Sequence, residues 1–418
     1  MKILVIMLYW YPYQGPLMPI YGSLFKGLQD KGHKITIVTS FPHYRKGRSE
    51  TWEEYRGKLY ERTQWEGIEL IRSYVYAPVF NPQKSGLVYR ALNFISFNIS
   101  SLLAGIFLAG KADIVFAPSS PPLSNGIISW IVSKLKRCPM AYNVQDLYPD
   151  MAVKMGLIQS KYLLSLLTGM EKLVYKLSSQ VLTISDSMAE TIKNKGVPSE
   201  RIEVIENFID TQAIKPTSKS NEFSQRYNID QHFVVMYAGN IGIPHGVEVL
   251  MSAAEILMAE SGILFCFVAR GEHKENMSSL AAKKQLQNVI FIEPQPENMV
   301  PLIWASASVG TITYRKGLAE FSLPSKLLAC MCAARPVIAS LDLDSAAAKL
   351  IKKAECGVCV PPDSPKLFAE RLLTLRDDPE KTEQMGQNGR RYVEKYLNRD
   401  VIVDRYDGFF LRVAGMKK

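Results

Sequence analysis

A chain of 418 residues, 47% hydrophobic and 22% charged, is too long for one ordinary core and too apolar to stay disordered, so it reads as a globular protein of two domains. Its net charge of +10 favours anionic partners: membrane surfaces, nucleic acids or phosphorylated ligands. That charge is spread along the chain, with no basic run interleaved with aromatics, which sets nucleic acid aside.

In chain order, the apolar run Ile3 to Trp10 lacks a small-residue cleavage site and reads as a first core strand, Lys2–Met7, instead of a signal peptide. A helix over Ile20–Lys31, closed by Gly32, and a strand over Ile35–Thr39 follow. The long apolar segment Leu87–Leu108 is interrupted by Arg90, Asn93 and Asn98. It predicts a core or membrane-surface helix in preference to a spanning one. Further strands fall at Asp113–Ala117, Met140–Val144 and Val181–Ile184, and the strand–helix–strand rhythm predicts a parallel sheet covered on both faces.

The polar stretch Thr217–Asn221 reads as a linker, after which the rhythm restarts. Strands are expected at Phe233–Tyr237, Leu264–Val268, Val289–Ile292, Val309–Thr313 and Pro336–Ala339, with a helix over Val247–Ala259. Two doubly wound halves are therefore expected over 1–207 and 208–395, and a last helix, Asp400–Val413 within 396–418, is expected to cross back onto the first half. Ligands of such sheets bind at the carboxyl ends of the strands, so the cleft between the halves is the expected site.

Six cysteines are present, and Cys356-Gly-Val-Cys359 has the spacing of half a zinc site or a redox pair. No His-rich cluster lies nearby, and thiols within apolar stretches pack as small hydrophobes, which points to a reducing, cytoplasmic compartment. Asp342-Leu-Asp344 has the spacing of a metal-holding triplet, but its place after a strand and before a helix favours capping.

The most informative local feature is Tyr237-Ala-Gly-Asn-Ile-Gly-Ile-Pro-His-Gly246, which joins a strand to a helix. Gly239 and Gly242 allow close backbone approach, the helix start near Val247 offers amides to an anion, and Asn240 and His245 add donors. A second junction, Glu320-Phe-Ser-Leu-Pro-Ser-Lys326, places Ser325 and Lys326 at a helix start, where the alternative is a capped helix with a solvated lysine. Gly15 ends the loop after the first strand. Together these loops suggest one phosphate-binding cleft.

With these motifs the chain resembles glycosyltransferase family 4. The likeness is seen in Lys31 to His43, Ile184-Ser-Asp-Ser-Met188, Arg201 to Asp210 and Lys326 to Ile338. By eye it resembles the WbuB-like subgroup, similar to N-acetyl-fucosamine transferases of O-antigen and capsule assembly. The resemblance implies an α/β protein of GT-B fold, two Rossmann-like doubly wound domains facing a central cleft. It implies a retaining transferase that needs neither metal nor cofactor, takes a nucleoside diphosphate sugar and releases the diphosphate onto protein donors.

The chain departs from the family pattern at several positions. Asn240 and His245 stand where many members have an Arg or Lys pair, Ala329 replaces a glutamate, and Glu320 is the nearest acid to its partner glutamate. The usual His-Asp pair reads Gln145-Asp146, which can donate hydrogen bonds at Gln145 but transfers no proton there.

The diphosphate is assigned to Gly239, Asn240, Gly242, His245, Ser325 and Lys326, with Gly15 from the first half. Arg270 is a further candidate, a solvated loop arginine being its alternative. Asp146 is read as the group that positions the acceptor hydroxyl or binds the transferred sugar, with a structural hydrogen bond as the alternative, and Glu320 as a partner for sugar hydroxyls. No carboxylate is clearly placed for a covalent intermediate, so front-face attack within an ion pair is the expected mechanism. The apolar 87–108 segment and the positive balance point to a polyprenyl-diphosphate-linked saccharide acceptor at a membrane surface. The competing readings are a nucleotide-sugar epimerase on the same fold and a non-catalytic nucleotide-sugar binding protein.

Overall fold

Runs in which nearly every residue is apolar, such as Lys2–Ile6 with all but its first residue buried, form strands covered on both faces, as parallel sheets require. The computed structural model describes residues 1–12, 17–43, 55, 57–77, 87–271, 273–321 and 323–416. The chain divides into two units: Met1–Val153, Ile158–Glu206 and Ile402–Lys418 form the first, and Lys154–Leu157 with Asn207–Val401 the second.

The first unit is built on an eight-stranded sheet ordered β3-β4-β2-β1-β5-β6-β7-β8. Its strands are β1 (Lys2–Ile6), β2 (Lys34–Ser40), β3 (Tyr60–Trp65), β4 (Ile68–Ser73), β5 (Ile114–Pro118), β6 (Met140–Val144), β7 (Gln180–Thr183) and β8 (Ile202–Val204). All pairings are parallel except β3–β4, a hairpin whose turn residues Glu66 and Gly67 both have positive φ, as a tight two-residue connection demands. The helices are α1 (Met18–Asp30), α2 (Leu87–Leu103, continued by the wider turn Ala104–Leu108), α3 (Ser124–Lys136), α4 (Lys161–Leu177) and α5 (Asp186–Asn194). The strand order reverses direction between β1 and β5. Buried Asn125, on α3, clamps that point by donating to Ile6 O at 2.8 Å and Pro118 O at 2.7 Å.

The second unit holds a fully parallel six-stranded sheet, ordered β11-β10-β9-β12-β13-β14. It comprises β9 (Phe233–Asn240), β10 (Ile263–Arg270), β11 (Val289–Ile292), β12 (Val309–Thr313), β13 (Val337–Ser340) and β14 (Gly357–Val360). Its main helices are α6 (Glu248–Ile256), α7 (Lys274–Lys283), α8 (Ser325–Cys332), α9 (Ala346–Lys353), α10 (Pro365–Asp377) and α11 (Pro379–Tyr396). Phe265, Phe267, Leu250, Phe368 and Leu372 lie at the centre of the core between sheet and helices. Arg390 of α11 is buried and donates to Ile214 O and Cys332 O at 2.7 Å and to Thr211 O at 3.1 Å, tying the opening loop of the unit to its closing helix.

The last helix, α12 (Arg399–Val413), belongs from Ile402 onward to the first unit. Phe410 meets the Phe116 ring edge-on at 5.3 Å, and Asp407 holds His33 Nε2 at 2.8 Å, so His33 serves as a buried structural tie.

Two local expectations need correction. Asn221 is more than linker: its side chain accepts from the amides of Phe223 and Ser224 and opens the short helix Glu222–Arg226 with a capping box. Neither Asp342 nor Asp344 caps α9. Ser345 does so by accepting from Ala348 N, while Asp342 Oδ2 accepts from Gly317 N at 2.7 Å. All six cysteines are unbridged, and buried Cys356, its thiol pushed up to about 12 by desolvation, donates weakly to Ile351 O.

Candidate functional site

In the second unit the strand order reverses between β9 and β12, and in doubly wound sheets a crevice opens at the carboxyl ends of such a pair. The loops leaving these two strands meet there. Arg315 N, just past β12, donates to Pro244 O at 2.9 Å. Gly246 has φ +54°, and a Cβ on it would lie 3.1 Å from Arg315 N, so only glycine lets the two loops close. Gly271, after β10, is equally constrained: a Cβ there would fall 2.5 Å from both Asn240 Oδ1 and Ile241 O.

Gly239 bends the end of β9 with φ +134° and is exposed together with Asn240. Above it stands Lys326, the second residue of α8, whose Nζ donates to Tyr237 Oη at 2.9 Å and lies 4.1 Å from the centre of the Tyr237 ring. The Tyr237 hydroxyl in turn donates to Asn240 O at 2.7 Å. Burial pushes the Tyr237 phenol up, so it stays a donor, and a cation held against an aromatic face gains further attraction. Desolvation lowers Lys326 from its usual range to about 7. A lysine so placed gains its proton back when an anion arrives beside it. No side chain caps α8, whose first residue, Ser325, is exposed; Leu327 N donates to Pro324 O at 3.0 Å.

His245 is lowered to about 3, first by desolvation and then by the Lys326 charge, so its ring is neutral. Its Nδ1 accepts from Gly242 N at 3.0 Å, which leaves the ring proton on Nε2 and engages the Gly242 amide internally. The start of α6 is likewise occupied. Val249 N and Leu250 N donate to Gly246 O and Val247 O, and Glu248 in the first turn pairs with Arg315 at 2.5 Å. Of the two helix starts at this place, that of α8 has no acid in its first turn, whereas α6 has Glu248. Arg270 ends β10 in register with Asn240, is exposed, and through its carbonyl accepts from Ile241 N at 2.7 Å.

Gly239, Asn240, Gly242, His245 and Lys326 thus gather at one place, with Ser325 adjoining and Arg270 alongside. Glu320 sits in the turn Ala319–Phe321 and pairs with Lys154 at 2.7 Å, both half exposed. Gly15 lies outside the described residues.

Asp146 follows β6 in the first unit. Its side chain reaches solvent, yet the density of protein around it raises its carboxyl to about 6 by desolvation. Beneath it, buried Gln145 donates to Asn143 Oδ1 at 2.6 Å, an atom that also accepts from Tyr21 Oη at 2.7 Å. Gln145 is thereby a fixed strut. Among the described residues no group of three or more His, Cys, Asp and Glu is gathered for a metal ion. Tyr237 is the functional candidate that sequence reasoning missed; its signal was an aromatic two residues before the glycine bend.

Comparison with known proteins matches residues 22–213 to the model of "Glycosyltransferase Family 4" and residues 219–392 to that of "Glycosyl transferases group 1". WcaI of Escherichia coli (strain K12), a protein named for colanic acid biosynthesis and glycosyl transfer, is 22% identical over 97% of this chain and 98% of its own. The capsular polysaccharide biosynthesis glycosyltransferase CapM of Staphylococcus aureus is 21% identical over 75% of this chain and 80% of its own. Among solved structures, Anabaena Alr3699/HepE in complex with UDP and glucose superposes with a TM-score of 0.71 at 15% identity, covering 99% of this chain and 100% of that one.

Proposed function

Since the chain belongs to the family 4 glycosyltransferases and has the GT-B fold, we propose that it moves a hexosyl group, with retention, from a UDP-sugar to a lipid-linked saccharide during surface polysaccharide assembly. The observation that supports this most directly is the Lys326 ammonium fixed over the Gly239 bend by Tyr237. It aims a cation, fully charged once an anion is bound, at a backbone turn and a helix start without a side-chain cap, an arrangement suited to a diphosphate.

In this reading the bond between the sugar's anomeric carbon and the diphosphate oxygen breaks while the acceptor oxygen bonds to the same face of that carbon. The acceptor proton passes to the departing diphosphate oxygen. Lys326, the first amides of α8 and the Gly239 backbone stabilise the leaving charge, so the reaction needs no divalent ion. Asp146 orients the acceptor hydroxyl as its carboxylate. The colanic acid and capsule names of the relatives support a polyprenyl-diphosphate-linked acceptor, an N-acetyl-fucosaminyl donor group being the finer form of the proposal. The enzyme then works in the cytoplasm against the inner face of the membrane.

The test is thermal melting with UDP, GDP and their sugars, followed by turnover of the best donor with lipid-linked saccharides. UDP is expected to raise the melting temperature by mass action. Absence of a shift with every nucleotide would sink the proposal, and conversion of donor without acceptor would turn it into an epimerase.

A further inference from the structure

We infer that α2, α3 and α4 of the first unit form a single docking face for an anionic phospholipid bilayer, a surface that deepens and rests on the lipid-linked acceptor proposed above. Each of these helices leaves large apolar side chains exposed beside its core contacts. On α2, and through the turn that continues it, the inward positions are Asn93, Phe97, Ser100, Ser101, Ala104 and Gly105. Asn93 Nδ2 donates to Tyr76 O at 3.1 Å, Ser100 Oγ donates to Tyr74 O at 2.5 Å, and a Cβ on Gly105 would collide with Val132 at 2.8 Å. The outward positions are Leu92, Ile95, Ile99, Leu103 and Phe107, the last 75% exposed. Their spacing of three or four residues lines them up as one stripe.

The exposed apolar row recurs on α4. Its buried side holds Val174, Tyr175 and Glu171, which accepts from Tyr175 Oη and Lys195 Nζ, while Tyr162, Leu163, Leu166 and Leu173 face out, Tyr162 at 91% exposure. Between them α3 packs on both, burying Asn125, Gly126, Ser129, Val132 and Ser133 and leaving Leu135 exposed. Rows of large apolar side chains left exposed waste hydrophobic area unless something covers them.

Length and composition alone would let Ala91–Leu108 span a membrane. Its inner face, however, is fastened to the loop after β4 and to α3 by the contacts above, so the helix lies along a surface.

Charge identifies the occupant. The three helices carry Arg90, Lys134, Lys136, Lys161, Lys172 and Lys176, and Arg137 follows α3, against one acid, Glu171, which is buried and paired with Lys195. An exposed apolar stripe on helices with this excess of basic residues matches a bilayer with anionic headgroups, each cation near that surface adding attraction. The patch also continues the acceptor logic, since a polyprenyl chain stays in the membrane while its sugar is presented above it.

The experiment is flotation of the full chain with phosphatidylcholine vesicles, with and without phosphatidylglycerol. The wild type is expected to float with the anionic vesicles and to be released from them in about 1 M salt, where screening shortens to about 3 Å. Ile99→Glu on α2 and Leu166→Glu on α4, both surface changes, should each lower the bound fraction about tenfold or more while leaving the UDP-induced melting shift intact. No flotation of the wild type, or flotation of both variants like the wild type, would overturn the inference and leave the transferase reading standing. A concentration-dependent dimer in sedimentation that both variants abolish would overturn it too, assigning the face to a second copy. Loss of the UDP shift in the wild type would strike the transferase reading alone.

Discussion

Replacing Lys326 by Met keeps most of the side-chain volume packed on Tyr237 and removes the charge. A hydrogen bond to a charged group contributes about 1.5–3 kcal/mol, so UDP affinity at pH 7 should fall roughly 10- to 140-fold at 1.4 kcal/mol per tenfold. The pH dependence makes the test sharper. In the ligand-free protein desolvation holds Lys326 at about 7, and a bound diphosphate raises it. Wild-type affinity is therefore greatest below pH 7, falls as pH rises through that value, and levels off where the ligand-raised lysine deprotonates. The Lys326→Met line lies below and meets the wild type at high pH. Isothermal titration at pH 6 to 9 measures both. The ligand-free protein carries the complementary sign. The folded state disfavours the charged lysine, whereas the unfolded chain keeps its proton up to the ordinary value of 10.5. Stability is thus reduced most below pH 7 and recovers as pH climbs from 7 toward 10.5. Lys326→Met should raise the melting temperature more at pH 6 than at pH 9. An unchanged affinity at pH 7, or a wild-type to variant ratio that stays constant with pH, would refute the reasoning.

Three further outcomes are expected. Gly271→Ala would drive a methyl to within 2.5 Å of Asn240 Oδ1 and Ile241 O at φ +119°, so calorimetry should show weaker UDP binding with stability lower by about 1–3 kcal/mol. Asp146→Asn should cut transfer to acceptor at least about tenfold with UDP affinity retained, and should erase an acid limb that rises through pH 6 in the wild-type rate; a limb that persists in the variant assigns it elsewhere. Arg390→Met strands three buried carbonyls, Thr211 O, Ile214 O and Cys332 O, and urea unfolding should show a loss of about 3 kcal/mol, a loss below about 1 kcal/mol meaning that water replaces the guanidinium.

Most parallel strands were readable because burial leaves short runs without charged residues: fully buried β6 and β12 and the half-buried edge strand β11 begin and end where those runs do. The β3–β4 hairpin was not. Tyr60–Trp65 is an edge strand with alternately exposed polar residues, and Glu66-Gly67 is a weaker turn signal than Asn-Gly. β14 was hidden inside Cys356–Cys359, where the thiol spacing drew attention from a strand of Gly357–Val360. At the site, Gly239 and Lys326 were visible because glycine and charge stand out at a strand-to-helix junction. Tyr237 was invisible because an aromatic in a buried strand looks like core until its hydroxyl is seen between Lys326 and Asn240 O. The engagement of Gly242 N by His245 was equally out of reach, since a side chain folding back three residues leaves no periodic trace.

The assignment of Ile402–Lys418 to the first unit has a consequence for synthesis on the ribosome. The eight-stranded sheet is made early, yet Phe410 and Asp407, which seal Phe116 and His33, leave the exit tunnel only after the second unit. The nascent amino-terminal sheet must wait, its Phe116 side uncovered, through translation of the whole intervening unit, which is contiguous from Asn207 to Val401 apart from Lys154–Leu157 and can mature first. A premature stop near codon 400 would therefore damage the half of the protein made first and spare the half made second.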